Sequence, residues 1–156
     1  MEKDPDSLTW EEKLAMMLAS NEGQMRALGV KLVSANRDRA ILRLPWREDL
    51  VGNPETRILH GGAITTLLDS VCGYSLMAHL ETLPDIATLD LRIDYLRPAE
   101  PERDVYARGT VYKMTSSIAF LHAAAYQDED NLIANGVATF MLGANAPKYK
   151  ARSISQ

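Results

Sequence analysis

The sequence has few of the residues that build metal centres or disulfide frameworks. It contains one cysteine, Cys72, and three histidines, and no two histidines are spaced as ligands on one helix face would be. A single cysteine cannot form a disulfide within the chain, so a disulfide-stabilised scaffold is excluded. We therefore expect no metal site, and we expect Cys72 to be a buried, unreactive thiol.

A strong charge of one sign and long apolar runs are absent as well. The net charge is −4, and the excess lies in the segment up to Gln24, where six carboxylates accompany two lysines. Without a basic surface, nucleic acid is not expected as a partner. No stretch approaches the roughly 18 apolar residues of a membrane-spanning helix, and the acidic start is unlike a secretory leader. We expect a cytoplasmic protein.

Length and composition indicate one domain. The 156 residues are 46% hydrophobic and 24% charged, which is typical of a globular protein with its own core. We place a single domain over residues 1–156, with an acidic helical extension at residues 1–24. Residues 143–156 are expected to form a loose, mildly basic tail.

The stretch of residues 59–80 is the most informative part of the chain. It has no lysine or arginine, and Asp69 is its only carboxylate. The length predicts a helix of about five turns, and a helix that is apolar on every face belongs inside a fold. A lone carboxylate in such a helix is unfavourable unless it is paired or hydrogen-bonded. Asp69 is therefore the first candidate for chemistry.

The start of this helix is a second candidate site. Gly61 and Gly62 leave backbone N–H groups unshielded, and the positive end of the helix dipole favours an anion or a polarised carbonyl oxygen there. His60 and Asp69 lie on opposite sides of the helix, about 13 Å apart along its axis. One copy cannot direct both at one atom, whereas two copies related by a two-fold axis can. We predict an obligate dimer, although a tight Gly-Gly turn and a structural Asp69 remain the alternative.

The remaining patterns predict an α+β fold. Thr9 and Glu12 have capping-box spacing at the start of a helix over residues 9–21. Apolar alternation that includes Leu28 predicts a hairpin before a loop at residues 47–57, and four strands follow the central helix. These four are expected at residues 89–95, 104–113, 118–126 and 132–142. Because short turns join them, we expect consecutive strands to be antiparallel neighbours in one sheet wrapped around the central helix.

Two blocks of sequence resemble a known family. The first is Asn53 followed by His60-Gly61-Gly62, with Asp69 nine residues after the histidine, and the second is residues 87–99. Both resemble the hotdog-fold thioesterases of the phenylacetate-degradation, or PaaI-like, type. The order of elements matches that family from about Gly29 to Leu142. The aspartate at the acid position, where related enzymes carry glutamate, is similar to the PaaI-like branch.

The resemblance implies hydrolysis of an acyl-coenzyme A thioester by a homotetramer built from two dimers. Coenzyme A is then part of the substrate, and no separate cofactor is expected. Gly61 would supply its N–H to the thioester oxygen, Asn53 would place the thioester or the water, and His60 would brace the turn. Asp69 of the partner subunit would act as general base or nucleophile, and Thr88 would hold the water.

Substrate contacts are expected from the central helix. Besides Arg97, which is expected near the coenzyme's phosphates, the expected contacts are Gly62, Leu68, Val71, Cys72 and Tyr74. Their spacing does not determine the acyl group.

Three alternatives remain open. A hotdog hydratase or dehydratase would use His60 as the acid–base partner of Asp69. A non-catalytic acyl-coenzyme A binding module would use neither residue chemically. Asn53, which precedes a proline, is also typical of a simple turn.

Overall fold

The computed structural model describes residues 7–20 and 22–147. The α-helices are α1 (Trp10–Ser20), α2 (Gln24–Leu28) and α3 (Gly61–Leu80), and a short 3-10 helix covers Glu48–Leu50. The strands are β1 (Lys31–Ala35), β2 (Ala40–Leu44), β3 (Val51–Asn53), β4 (Ile58–Leu59), β5 (Ile86–Tyr95), β6 (Val105–Met114), β7 (Ile118–Asp128) and β8 (Asn131–Leu142).

Six strands form one antiparallel sheet in the order β1-β2-β6-β7-β8-β5, and β3 pairs with β4 separately. The expectation that consecutive strands after the central helix are neighbours is right for β6, β7 and β8. It is wrong for β5, which pairs with β8 and has no second strand neighbour among residues 7–20 and 22–147, so it lies at the sheet edge. The reason is the segment between β5 and β6, which contains Pro98 and Pro101 and crosses from the edge to the middle of the sheet.

Helix α3 packs against one face of this sheet, as the patterns predicted. Every residue from 71 to 78 is buried. The closest approach is at Gly109 of β6, where an added Cβ would lie 2.5 Å from Ser75 Oγ and 2.8 Å from the Val71 carbonyl oxygen. The same Ser75 hydroxyl accepts a hydrogen bond from the Ala40 N–H of β2 at 3.1 Å. The second half of α3 is therefore the centre of the core.

The prediction that this helix is apolar on every face is wrong for the first half of α3. Gly62, Thr65, Thr66, Asp69 and Ser70 form a stripe that is only partly covered within the protomer. These positions follow one another at spacings of one, three or four residues, so they share one side of the helix. Asp69 is consequently half-buried in the single chain, and the expectation of a fully buried carboxylate is wrong at this level.

The N-terminal region follows the prediction in part. The capping box is present, since Thr9 N–H donates to Glu12 Oε2 at 2.9 Å and Glu12 N–H donates to Thr9 Oγ1 at 3.2 Å. Leu28, expected in a strand, is instead a buried residue of α2. Gly29 ends α2 with φ +71°, a left-handed conformation that glycine adopts without strain.

Two other expectations need correction. Residues 47–57 are more than a loop, because they contain the 3-10 helix and β3, which pairs with β4. The start of the expected loose tail is attached to the fold: Gly143 N–H donates to the Asp85 carbonyl at 2.8 Å, and Asn145 Oδ1 accepts from the Asp85 N–H at 2.9 Å. The rest of the tail and the first six residues lie outside the described residues. Among the residues described, no helix combines the length and hydropathy needed to cross a membrane.

Candidate active site

The start of α3 is capped by the residue that precedes it. His60 Nδ1 accepts a hydrogen bond from the Gly62 N–H at 2.9 Å, and the His60 carbonyl accepts from the Ala63 N–H at 3.0 Å. These two bonds satisfy the second and third donors of the helix. Among the described residues, the Gly61 N–H has no acceptor. The Gly61 N–H is therefore a free backbone donor at the positive end of a 20-residue helix.

The carbonyl of Gly61 has polar partners that the sequence did not indicate. Tyr95, the last residue of β5, donates from Oη to the Gly61 carbonyl oxygen at 2.8 Å. Thr65 Oγ1 donates to the same oxygen at 3.1 Å and lies 2.8 Å from Tyr95 Oη. The glycine turn is thus held by a strand residue 34 positions away. The sequence showed only that an aromatic residue, Tyr95, ends an alternating strand. That pattern did not predict the contact of Tyr95 with Gly61.

Strand β5 also contacts α3 at Asp69. Thr88 Oγ1 donates to Asp69 Oδ1 at 2.8 Å. A bulge between Thr88 and Asp90 in the pairing with β8 turns Thr88 towards the helix. Thr88 and Tyr95 are therefore both directed at α3, one at the carboxylate and the other at the glycine turn.

A single protomer does not bring Gly61 and Asp69 together. They are eight positions apart on the helix, which is about 12 Å along the axis. Both lie beside β5, whose outer edge has no strand partner within the described part of the protomer. A strand of ten residues with an open edge is a surface on which another strand can pair.

Asn53 is the last residue of β3, directly before the turn to β4. Its Oδ1 accepts a hydrogen bond from the Glu55 N–H at 2.9 Å, and its carbonyl accepts from the Arg57 N–H at 2.8 Å. This is the turn-forming arrangement that an asparagine before a proline favours. The side chain is exposed, and its catalytic role stays a prediction.

Of the helix residues expected to contact substrate, Gly62 is exposed at the helix start and the other four lie in the core. Leu68, Val71 and Cys72 are 0% exposed, and Tyr74 is 6% exposed. Burial, followed by the negative charge of Asp69, raises the pKa of the Cys72 thiol to about 12. Burial likewise raises the pKa of Tyr74 to about 12, and its hydroxyl has no hydrogen-bond partner among the described residues. The contact of these side chains with substrate stays a prediction.

An apolar cleft of about 360 Å³ adjoins the glycine turn. Its lining is Ile58, Leu59, Gly61, Ile64, Tyr95, Leu96, Arg97, Pro98 and Ala99. Arg97 is the only charged residue of this lining. Its two terminal nitrogens donate to the carbonyls of Pro98 and Asn131, at 3.2 and 2.7 Å, and its buried Nε–H has no partner among the described residues. Arg97 therefore borders the cleft with one free donor.

This arrangement of a glycine turn at a helix start and a carboxylate farther along the same helix can be compared with known proteins. Residues 57–134 match the model of the thioesterase superfamily. The chain belongs to that superfamily. Its hotdog fold, an antiparallel sheet around one long helix, confirms the resemblance seen in the two sequence blocks. The protein is therefore an enzyme of the thioesterase superfamily.

Individual relatives of this thioesterase agree with the assignment. It is 33% identical to the medium/long-chain acyl-CoA thioesterase YigI of Escherichia coli K12, over 76% of this chain and 84% of YigI. A crystal structure of a Pseudomonas aeruginosa protein is 40% identical, with a TM-score of 0.77 over 85% of this chain and 98% of that one. The E. coli PaaI protein of the phenylacetic acid degradation operon has the same fold, with a TM-score of 0.75 at 16% identity over 86% of this chain and 94% of PaaI.

Proposed function

We propose that this thioesterase hydrolyses acyl-coenzyme A to a free acid and coenzyme A, in an active site shared by two subunits. The observation that carries the proposal is the free Gly61 N–H at a capped helix start, together with a carboxylate held by Thr88 on the same helix. The first group suits the oxygen of a thioester as it gains negative charge. The second suits the activation of water or direct attack.

The chemistry needs only these two groups. In one route, the Asp69 carboxylate takes a proton from water, and the oxygen of that water attacks the thioester carbon. The carbonyl oxygen becomes negative beside the Gly61 N–H, the C–S bond then breaks, and the coenzyme A thiolate takes up a proton. In the other route, the carboxylate attacks the thioester carbon and the C–S bond breaks, so that the coenzyme A thiolate leaves and takes up a proton. Water then cleaves the mixed anhydride to the free acid and the Asp69 carboxylate. A thioester has a good leaving group, so neither route needs a Ser-His-Asp triad.

The proposed dimer forms through the open edge of β5. This edge carries apolar side chains that the protomer leaves uncovered, with Leu89 54% and Tyr95 49% exposed. Pairing with β5 of a second copy would satisfy the open backbone groups and cover these side chains. The polar stripe on the first half of α3 borders the same edge, which would place it at the subunit boundary.

The bulge in β5 supports one register for this pairing. In an antiparallel pair, residues directly opposite each other lie on the same face of the sheet. Residues on one face of β5 must therefore lie opposite residues on the same face of the partner subunit's β5. With the two-fold axis at Arg92, Leu91 is opposite Ile93 of the partner subunit. Counting the bulge as one extra residue, Thr88 is then opposite Tyr95 of the partner subunit. Asp69 is hydrogen-bonded to Thr88, and Gly61 of the partner subunit is hydrogen-bonded to that tyrosine. Asp69 would therefore lie beside Gly61 of the partner subunit.

We further propose that two such dimers associate through the outer face of the sheet. Tyr112 and Val137 are 52% and 37% exposed on this face, beside a shallow trough of about 430 Å³ lined in part by Arg92, Arg108 and His122. Exposed apolar side chains of this size indicate a contact surface. The expected particle has four times the chain mass of 17.3 kDa, which analytical ultracentrifugation measures directly.

The substrate class that we propose is a medium- or long-chain acyl-coenzyme A. The name of YigI supports it, and so does the apolar cleft beside Gly61, which would accept an aliphatic chain. Arg97 at the border of the cleft would place its positive charge beside a polar group of the substrate. The cytoplasm, where such thioesters are metabolised, is the compartment that fits this substrate.

The experiment that tests the function measures thiol release from a panel of acetyl-, hexanoyl-, decanoyl-, palmitoyl- and phenylacetyl-coenzyme A. We expect free thiol with decanoyl- or palmitoyl-coenzyme A, and none from Asp69→Asn, which should assemble like the wild type. A changed acyl chain without thiol would identify a hydratase. Saturable binding without either product would identify a binding module.

A further inference from the structure

Tyr95 lies in the second block of family resemblance, where no role was expected for it, and it is directly hydrogen-bonded to the glycine turn. Its Oη donates to the Gly61 carbonyl at 2.8 Å and lies 2.8 Å from Thr65 Oγ1, which also reaches that carbonyl at 3.1 Å. Three oxygen atoms thus form a closed triangle at the first peptide of α3. Two of them belong to the helix, and the third is brought there by β5.

In every arrangement of the two hydroxyl protons, at least one hydroxyl donates a hydrogen bond to the Gly61 carbonyl. Tyr95 and Thr65 have one hydroxyl proton each, while the triangle contains three contacts. If Tyr95 donates to the carbonyl, Thr65 donates to Tyr95 or to the carbonyl as well. If Tyr95 donates to Thr65, the threonine donates to the carbonyl. The Gly61 peptide is held in each arrangement, but both hydroxyls are needed to close the triangle.

We propose that Tyr95 is a positioning residue, which acts through Thr65 and the Gly61 carbonyl to direct the free Gly61 N–H at the substrate oxygen. The inference rests on the proposed function. Glycine has wide conformational freedom, and the first turn of a helix is the part that frays. The Gly61–Gly62 peptide is held at its N–H by His60 Nδ1 and at its carbonyl by Tyr95. The preceding peptide, which carries the Gly61 N–H, is held at its carbonyl by the Ala63 N–H, so the peptides on both sides of the Gly61 Cα are fixed. Fixed donors stabilise a developing charge more effectively than mobile ones.

The position of Tyr95 makes a purely structural role of its hydroxyl a poor explanation. Its hydroxyl reaches only the start of α3, at Gly61 and Thr65, and does not contact residues 71–78, which form the centre of the core. Phenylalanine would keep the ring, which lies beside Gly61: a Cβ added at that glycine would be 3.7 Å from the Tyr95 Cζ atom. What phenylalanine removes is the hydrogen bond by which β5 holds the Gly61 carbonyl, which leaves that carbonyl to Thr65 alone.

The test compares hydrolysis of decanoyl-coenzyme A by Tyr95→Phe, Thr65→Val and the double variant. We expect each single variant to lower kcat roughly 10-fold, with KM within about two-fold and the melting temperature within about 2 °C of the wild type. The double variant should be no slower than the slower single variant, because both changes break one network. Thr66→Val is the matched control: it removes the same kind of bond, from Thr66 Oγ1 to the Gly62 carbonyl at 2.9 Å, which does not involve Tyr95.

Each outcome decides the inference. An unchanged kcat in Tyr95→Phe overturns it, and so does a loss of kcat that Thr66→Val reproduces. Multiplication of the two single effects in the double variant would contradict the action through Thr65. A fall in melting temperature that parallels the loss of kcat would assign a structural role instead. A wild-type protein that releases no thiol overturns the proposed function and this inference with it, whereas an active wild type matched by Tyr95→Phe overturns the inference alone.

Discussion

Thr88 donates a hydrogen bond from Oγ1 to Asp69 Oδ1 at 2.8 Å, and this bond connects the open edge of the sheet to the carboxylate of the central helix. It occupies one carboxylate oxygen, while Oδ2 has no hydrogen-bond partner among the described residues. The half-buried carboxylate therefore has a fixed orientation and one free oxygen. A general base or a nucleophile requires that combination.

Removing this bond should affect the reaction more than the fold. We expect Thr88→Val to lower kcat about 10-fold, because Asp69 loses the donor that orients it, and Thr88→Ser to retain most of the activity. Thr88 is exposed, so the unfolding midpoint of both variants should stay near that of the wild type. Steady-state kinetics and urea unfolding together check the prediction. A valine variant as active as the serine variant would contradict it.

The two glycines of the turn should respond differently to alanine. A Cβ at Gly61 would meet Tyr95 Oη at 3.5 Å, an ordinary contact, whereas a Cβ at Gly62 would lie 2.9 Å from His60 Nδ1. Gly61→Ala should fold normally and lower kcat about 100-fold, because the methyl group occupies the place of the substrate oxygen. Gly62→Ala should also lose about 1 kcal/mol of unfolding free energy, because it displaces the histidine cap. Equal stability of the two variants would contradict this account of the cap.

The proposed register places Arg92 on the two-fold axis. Directly opposite residues have Cα atoms about 4.5–5.5 Å apart, within the range that a disulfide can bridge. Arg92→Cys should therefore form a disulfide-linked dimer on mild oxidation, seen on a non-reducing gel. Asp90→Cys and Asp94→Cys should each stay monomeric on the gel, yet form a linked dimer when the two are mixed, because they face each other across the axis. Efficient linkage of Asp90→Cys alone would rule out this register.

The buried thiol predicts a specific pH dependence. Because burial and the Asp69 charge raise the pKa of Cys72 to about 12 from 9.0, the unfolded chain releases its thiol proton first as pH rises. The contribution of Cys72 to stability is therefore constant below pH 9 and declines between pH 9 and pH 12. The unfolding free energy of wild type should fall more steeply in this window than that of Cys72→Ala. Native protein should also resist a thiol reagent at about pH 8, and rapid labelling there would contradict the burial.

Local patterns in the sequence predicted the elements that depend on neighbouring residues. The capping box of Thr9 and Glu12 and the alternation of Ala40, Leu42 and Leu44 are encoded within a few positions, and the structure contains both. The apolar stretch that became α3 was equally clear. Its glycine start and single carboxylate identified the two groups of the candidate site, whose catalytic roles stay predictions.

Those local patterns could not predict which strands pair when they are far apart in the sequence. Nothing in β5 indicates that it pairs with β8 rather than β6, because that choice depends on how the chain crosses the end of the sheet. The bulge beside Thr88 and the contact of Tyr95 with Gly61 depend on the same pairing. The five-residue helix α2 escaped prediction because it is too short to show a period.

The most direct test of the shared active site mixes two inactive variants. Asp69→Asn keeps the glycine turn, and Gly61→Ala keeps the carboxylate, so a mixed dimer would contain one site with both wild-type groups. After equimolar mixing with subunit exchange, half of the dimers are mixed and each has one intact site. We expect about one quarter of the wild-type rate of thiol release, although each variant alone is nearly inactive. A mixture no more active than the average of its components, with exchange verified by mass, would contradict a site built from two subunits.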